Sequence, residues 1–564
     1  MKKVLLGNEA IVQGALEVGV DFVSAYPGTP SSEIGNIFGE IAKKHGVYFE
    51  FSTNEKTALE ASIGASFSGL KCLVAMKSFG LNVASDALLP FVYTGTKGPV
   101  VIIVADDPSC WSSGQTEENS RGFAYLAHIP VLEPSDAQEA KDFVKLGFDI
   151  SEKFNIPVII RTTTRVAHQR MPIEINSKLQ APNSKKKGLF IKDVRRFVTM
   201  PPRVLEMKDE LLEKIEKIRE YAEKSEINRG PTSDFIRGRT SDKLGIITSG
   251  VSYLYVKEVL EELNLDLPIL KLGFFYPLPE KKINSFIKGL KKVLIVEELE
   301  GYLEKEINAL AKETNPKLEV FGKDILPESK ELGVELILPA VAKLINKNLK
   351  LENYLKIKNL KLEIPKRFPR LCPNCPYWFV FSAVKEVAPK DTIFGGDIGC
   401  YMIAGFPPHD IQDYLLCMGA SIGVGHGIKK ALQQSSGQAS KQKLIAFIGD
   451  STFFHSGIPA LINTVFNKSN PLIIIMDNRI TAMTGHQPNP GMGLTGMGDE
   501  AEEIKIEEIV KACGVKHIKV IDPKNMDEFK QTVREFLNKD EVSVIVAKRI
   551  CAIWGKRLEG LKKL

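Results

Sequence analysis

Two apolar runs in this chain break off in the same way: "KLIAFIGD" stops at Asp450, and "PLIIIMDN" stops at Asn478, 28 positions further on. Neither run alternates with polar residues, so both faces of each strand must be buried. A parallel sheet covered by helices on both sides meets that demand. The same signature recurs in "KCLVAMKS", "GPVVIIVADDPS", "NIPVIIRTTT", "KLGIITSG", "KKVLIVEE" and "VSVIVAKR". The expected class is α/β, with three doubly wound parallel-sheet domains.

A length of 564 residues suits three or four domains. The pattern places the first at 1–170, a Pro/Lys/Asn-rich linker at 171–241, a second α/β unit at 242–350 and a third at 365–556. In the first, "DFVSAYPGTPSSEI" reads as a strand and turn, with Ser31 or Ser32 capping the next helix. The linker holds one amphipathic helix, with Leu205, Leu211, Leu212, Ile215 and Ile218 on its apolar face. "PILKLGFFYPLP" reads as one strand region of the second unit. The last ten residues, "GKRLEGLKKL", read as a short amphipathic helix.

A net charge of +6 is small for this length. Its basic excess sits in Lys-rich helices and in runs such as "SKKKG" from Ser184, which reads as solvated surface rather than a nucleic-acid stripe. No run approaches the ~18 apolar residues needed to cross a bilayer. Asn8, Glu9 and Gln13 interrupt any signal-peptide core. Eight cysteines without an export signal point to a reducing cytoplasm, where they act as core thiols, metal ligands or nucleophiles.

Ligands bind at the carboxyl edge of parallel strands. Asp450 and Asn478 lie just past two such strands, and "TFFHSGIPALINTVFNKSN" between them is long enough for one helix. The crossover sets a carboxylate and an amide oxygen side by side, a donor set that suits Mg²⁺ holding a diphosphate. The alternative is that Asp450 merely caps a helix. The arrangement resembles the thiamine-diphosphate signature, Gly-Asp-Gly followed after a helix by Asn, with Ser451 in the third place. A thiamine enzyme also needs an acid facing the aminopyrimidine ring. Glu55, which opens a helix of small residues after "VYFEFS", has that position. An ordinary solvent-facing glutamate in a first helical turn is the competing account.

Cys372 and Cys375 form a Cys-x-x-Cys loop in "LCPNCPYW"; Cys400 follows in "GGDIGCY", and Cys551 ends the last strand in "AKRICAIW". Four such thiols would ligate a [4Fe–4S] cluster or a zinc ion, and spacing does not separate the two. A lone Cys-x-x-Cys is also consistent with buried thiols or a redox pair. A one-electron acceptor beside a thiamine cofactor makes chemical sense, which favours the cluster. Cys72, Cys110, Cys417 and Cys513 read as core or near-core thiols.

Together, "YPGTPSSE", "NEKTALEASIGAS", "GLNVASDAL", "ADDPSCWSSGQTEENSR", "LCPNCPYW", "GGDIGCY", "CMGASIGVGHG", "GDSTFFHSGI" and "DNRITAMTGHQ" resemble the large subunit of indolepyruvate:ferredoxin oxidoreductase, within the 2-oxoacid:ferredoxin oxidoreductases. The resemblance covers nearly the whole chain, and Gly-Asp-Ser is typical of that subunit. It implies thiamine-binding folds for the first and last domains and a transketolase C-terminal-like middle domain. The implied reaction is oxidative decarboxylation of aryl 2-oxo acids to acyl-coenzyme A, with electrons passing to ferredoxin. Its rivals are a non-oxidative thiamine-dependent decarboxylase and a non-catalytic zinc-stapled subunit.

Residue by residue, the resemblance implies that Glu55 activates thiamine diphosphate. Tyr26, Pro27, Gly28, Asp397, Gly449, Ser451 and Thr484 would contact that cofactor. Asp450, Asn478 and the Ile480 carbonyl would hold Mg²⁺, and Cys372, Cys375, Cys400 and Cys551 the cluster. Thr29 would meet the substrate carboxylate, with Arg121 a second candidate because a guanidinium suits a carboxylate. A smaller second subunit would complete a hetero-oligomer. The family's large subunit usually continues into a ferredoxin-like tail with two runs of close cysteines; only thirteen residues follow Cys551 here. Onward transfer is therefore expected to use a separate iron–sulfur protein. "MKSF" stands where the family often has a histidine.

Overall fold

Seven strands form the largest sheet, in the order Phe274–Tyr276, Val131–Leu132, Val158–Thr163, Val100–Asp106, Cys72–Lys77, Phe22–Ala25 and Tyr48–Phe51. All neighbours run parallel except Phe274–Tyr276, which is antiparallel to Val131–Leu132. The Val100–Asp106 and Val158–Thr163 strands are buried at every position, as unbroken apolar runs require. This computed structural model describes residues 1–176, 188–231, 244–345, 368–434 and 441–561. Apart from Gly188, the Lys-rich run from Ser184 lies outside the described residues.

A four-stranded parallel sheet follows, in the order Ile269–Leu272, Leu244–Ser249, Lys292–Val296 and Glu319–Phe321. "PILKLGFFYPLP" is therefore divided between two sheets. Ile269–Leu272 stays in the second sheet, while Phe274–Tyr276 crosses to the edge of the first. Gly273 is the pivot: a Cβ there would lie 2.8 Å from Ile227 Cγ1. Asn228 Oδ1 fixes the switch by accepting the Gly273 and Phe274 N–H groups at 2.9 and 3.0 Å. The chain's two compact units are Met1–Leu362, which contains these two sheets and the antiparallel pair Lys2–Leu6 and Arg170–Glu174, and Glu363–Leu564.

The second unit is built on a five-stranded parallel sheet, in the order Ile393–Gly395, Leu444–Gly449, Leu472–Asp477, Ser543–Lys548 and His517–Ile521. Ile445, Phe447, Leu472, Ile474, Met476, Ile545 and Ala547 face one apolar cluster, and Leu444, Ala446, Ile448, Ile473, Ile475, Val544 and Val546 face another. That two-sided core is what the non-alternating runs demanded. The α/β class with parallel sheets holds, with antiparallel pairing of strands only at Phe274–Tyr276 and between Lys2–Leu6 and Arg170–Glu174 among the described residues.

Several local expectations are corrected. Ser31 Oγ does not cap the Ser32–His45 helix; it donates to the Gly28 carbonyl at 2.7 Å and braces the preceding turn. In the Arg203–Lys224 helix the buried stripe is Met207, Leu211, Ile215, Ile218 and Ala222. Leu205 and Leu212 are exposed, because the 3.6-residue period rotates them off that face. The crossover after Asp450 is not one regular α-helix: it runs through Asp450–Thr452, a widened turn at Phe453–Gly457 and a helix at Ile458–Phe466. The chain ends, among the described residues, in the helix Ala552–Leu561. No helix among them is long and apolar enough to cross a membrane.

Arg121 is 1% exposed and ties the seven-stranded and four-stranded sheets of the first unit together. Its Nε and Nη2 donate to the two carboxylate oxygens of Glu133 at 2.6 and 2.7 Å, and Nη2 also to Ser249 Oγ at 2.9 Å. Its Nη1 donates to Glu297 Oε2 at 3.2 Å and the Glu298 carbonyl at 3.1 Å. Phe275 stacks below it, 4.9 Å from the guanidinium carbon. The proposed role of Arg121 at a substrate carboxylate is corrected here. Every nitrogen is engaged inside the protein, and no face is left for a ligand.

Burial alone would raise Glu133, but the Arg121 and Arg161 guanidiniums outweigh it and hold the carboxyl down at about 2. A carboxyl lowered in the folded state stabilises the protein above its unfolded value and loses that contribution as pH falls through the folded one. Glu133→Gln is therefore expected to cost about 3–5 kcal/mol at neutral pH, since it strands buried arginines. It should also flatten the acid-unfolding curve between the model-peptide range near 4.3 and about 2. Urea midpoints for both proteins across that range check it; equal stability would refute it.

Candidate functional sites

In the first unit, the parallel strands deliver side chains to one carboxyl edge. Phe22–Ala25 leads into Tyr26, Pro27, Gly28 and Thr29; Cys72–Lys77 ends on Lys77; Val100–Asp106 leads into Asp107. Tyr26, Pro27 and Gly28 are buried and Thr29 is half-buried. Glu55 begins the helix Glu55–Phe67, and Asn54 caps it by accepting the Thr57 N–H at 2.8 Å. Glu55 is 6% exposed, which rules out the solvent-facing account. It packs on Gly80, where a Cβ would come within 2.6 Å of Glu55 Cγ.

Asp107 organises the loop beside this edge. Its Oδ2 accepts from Ser112 N, Ser112 Oγ and Ser113 Oγ at 2.8, 3.0 and 2.7 Å, and its Oδ1 from Thr164 Oγ1 at 2.6 Å. Burial would raise this carboxyl, but those hydrogen bonds hold it below its ordinary value. Ser112 Oγ also donates to the Thr29 carbonyl at 3.3 Å, which ties the loop to the "YPGT" turn. Glu118 lies nearby, pushed up to about 7 chiefly by burial. Lys77, Asp107 and Glu118 escaped the sequence reading, although "MKSF" was the signal at Lys77.

In the second unit, Asp450 and Asn478 follow neighbouring parallel strands, and Gly449 pairs with Met476. Asp450 is 3% and Asn478 5% exposed. The Ile480 N–H donates to both, to Asp450 Oδ2 and Asn478 Oδ1, each at 3.1 Å. Arg479, at a φ of 68°, makes the turn that brings Ile480 back. Asp450 does not simply cap its helix: its Oδ1 accepts from Ser451 N at 2.8 Å, and its Oδ2 also from Asn489 Nδ2 at 3.1 Å. Burial, and then the Asp477 carboxylate, push it up to about 7. A divalent cation would reverse that balance. One carboxylate, one amide and one main-chain carbonyl form a hard-oxygen donor set that fits Mg²⁺. Asn489 is a partner the sequence reading missed.

Asp397 is fully buried and accepts the N–H groups of Ile398, Gly419 and Ser421 at 2.7, 2.9 and 3.0 Å. It thereby holds the turn at Gly419, whose φ of 84° favours glycine. Gly449 leaves room for Tyr401, whose ring carbon a Cβ would meet at 2.6 Å. Ser451 is half-buried beside Asp450. Thr484 Oγ1 donates to Gln487 Oε1 at 2.6 Å.

Cys372, Cys375, Cys400 and Cys551 line one cavity of about 90 Å³, together with Asn478 and His486. Cys375 precedes the helix Pro376–Val387, and its N–H donates to the Cys372 carbonyl at 3.1 Å. Burial pushes Cys375 and Cys400 up to about 12, and in each case the charges of the other thiols add to the rise. Four thiolates around one open space would fit an iron–sulfur cage. No group of three or more His, Cys, Asp or Glu among the described residues is set to hold a single metal ion. His486 Nε2 lies 3.8 Å from Cys551 Sγ, a neighbour the sequence did not reveal. Of the other thiols, Cys72 is buried and Cys110 and Cys513 half-buried, whereas Cys417 is exposed and not a core thiol.

Comparison with known families gives three matches. Residues 13–226 match the family described as "Pyruvate flavodoxin/ferredoxin oxidoreductase, thiamine diP-bdg", 234–350 the "Indolepyruvate oxidoreductase domain", and 397–547 the "Thiamine pyrophosphate enzyme, C-terminal TPP binding domain". The "Indolepyruvate oxidoreductase subunit IorA" of Methanothermobacter thermautotrophicus is 43% identical over 99% of this chain and 88% of its own length. That of Pyrococcus horikoshii is 44% identical over 98% of this chain and 86% of its own. Among solved structures, a 2-oxoglutarate:ferredoxin oxidoreductase from Magnetococcus marinus is 20% identical, with a TM-score of 0.49 over 61% of this chain and 65% of that one.

Proposed function

Because the chain belongs to the indolepyruvate oxidoreductase IorA family, we propose that it oxidatively decarboxylates aryl 2-oxo acids of the indolepyruvate type. The product is an acyl-coenzyme A, and the electrons leave through a [4Fe–4S] cluster to ferredoxin or a separate iron–sulfur protein. A smaller second subunit would complete a hetero-oligomer; that the relatives are named as subunits supports a multi-subunit assembly. A reducing cytoplasm would suit eight cysteines that form no disulfide among the described residues.

Thiamine diphosphate, when bound, supplies the electron-pair stabilisation that decarboxylation of a 2-oxo acid needs. The protein's part is to place and tune it. Asp450, Asn478 and the Ile480 carbonyl would hold the Mg²⁺ that anchors its diphosphate. Tyr26, Pro27, Gly28, Gly449, Ser451 and Thr484 would line it, with Asp397 bracing the Gly419 turn. Glu55 would hold a proton at the far nitrogen of the aminopyrimidine ring, and Thr29 would meet the substrate carboxylate. Cys372, Cys375, Cys400 and Cys551 would carry the cluster.

One observation carries this reading. The Cys551 N–H donates to the Asn478 carbonyl at 3.0 Å, so the residue proposed for the cluster and the residue proposed for Mg²⁺ are one hydrogen bond apart. A non-oxidative decarboxylase has no use for four thiols in that position. Anaerobic purification is the test: brown protein with about four irons and matching inorganic sulfide per chain is the expected result. Bound zinc would favour a stapled, non-catalytic subunit, and colourless thiamine-binding protein the non-oxidative rival.

A further inference from the structure

Lys77 ends a central strand of the seven-stranded sheet, at the same carboxyl edge as Thr29 and Glu55. It is half-buried, and its stem lies under the "YPGT" turn, where a Cβ on Gly28 would come within 2.9 Å of Lys77 Cγ. Among the described residues its ammonium donates one hydrogen bond, to Ser113 Oγ at 2.8 Å, and forms no ion pair. The Phe79 ring lies 4.6 Å from Nζ. Ser113 passes its own proton to Asp107, whose two oxygens are already taken by Thr164, Ser112 and Ser113. An ammonium has three donors, and Ser113 takes one of them, which leaves two for a further acceptor. Arg121, by contrast, is satisfied at every nitrogen.

We infer that Lys77, with Thr29 beside it, binds the carboxylate of the incoming 2-oxo acid. The inference rests on the proposed function and supplies the cation that Arg121 cannot. A singly charged anion fits better than a diphosphate, because Glu55, Asp107 and Glu118 already surround this one positive charge. Burial lowers Lys77 from its ordinary value, while Asp107, Cys110, Glu118 and Glu55 act in the opposite direction.

The holoenzyme bearing Lys77→Met or Lys77→Arg, assayed with indolepyruvate and a one-electron dye, tests this. Lys77→Met should raise KM roughly 10- to 100-fold, the range for one charge-assisted hydrogen bond, and Lys77→Arg should stay near wild type. As competitive inhibitors, phenylpropionate should weaken in Lys77→Met by the same factor, while its neutral amide should not change. A structural role would not separate acid from amide. Unchanged KM and inhibition in Lys77→Met would overturn the inference. So would loss of thiamine diphosphate binding in that variant, which would assign the ammonium to the cofactor or to folding. Wild-type enzyme inert toward every 2-oxo acid would instead overturn the underlying function.

Discussion

Glu55→Gln is expected to lower turnover by roughly 10²- to 10⁴-fold, the range for losing one positioned acid–base group, with thiamine diphosphate still bound. The side chain is placed by its backbone: Asn54 fixes the first turn of the helix, and Gly80 leaves the space the carboxyl occupies. Glutamine fills the same volume, so the helix and the neighbouring Gly80 contact should survive. What it lacks is a carboxyl able to hold a proton at the far nitrogen of the aminopyrimidine ring. The direct measurement is exchange of the thiazolium C2 proton for deuterium, followed by proton NMR on the holoenzyme. An exchange rate equal to wild type would remove Glu55 from the mechanism, whatever happened to overall activity.

Glu55 was legible in the sequence because its position follows from local rules: a strand, a capping asparagine, then a helix of small residues. Asp450 and Asn478 were legible for a related reason. Two unbroken apolar runs separated by one crossover must lie side by side in a parallel sheet, and the register of Gly449 against Met476 follows. The four cysteines lie farther apart along the chain, yet Cys375, Cys400 and Cys551 each stand at the start of a helical element, with Cys372 in the loop before Cys375, so the fold of one unit gathers them. Arg121 was misread because its partners are distant: Glu297 is 176 positions away, and nothing near Arg121 in sequence announces a buried ion cluster. Phe274–Tyr276 joined the wrong sheet in the sequence reading, since its change of sheet depends on Asn228 and on the space at Gly273. Lys77 and His486 illustrate the same limit. A lysine after a strand and a histidine in a loop acquire meaning only from what stands opposite them.

Cys400→Ala should abolish the proposed cluster, taking iron from an expected value of about four per chain to near zero and dye-linked turnover to background. Cys400 stands at the start of the turn Cys400–Gly405 and shares its cavity with three other thiols, so no spare thiol is placed to replace it. Cys417→Ala, at an exposed thiol outside that cavity, should keep iron, sulfide and activity. Cys551→Ser separates the two halves of the site. It removes a thiolate but keeps the main-chain N–H that donates to the Asn478 carbonyl, so iron should fall while thiamine diphosphate binding persists. Loading also has a predicted pH dependence. Cys375 and Cys400 are protonated in the metal-free protein because burial pushes both up to about 12, and iron must displace those protons. Reconstitution should therefore weaken steadily as pH falls and strengthen as it rises. Full iron and sulfide in Cys400→Ala, or loading indifferent to pH, would show that these thiols are not the ligands and would leave the electrons without an exit through this unit.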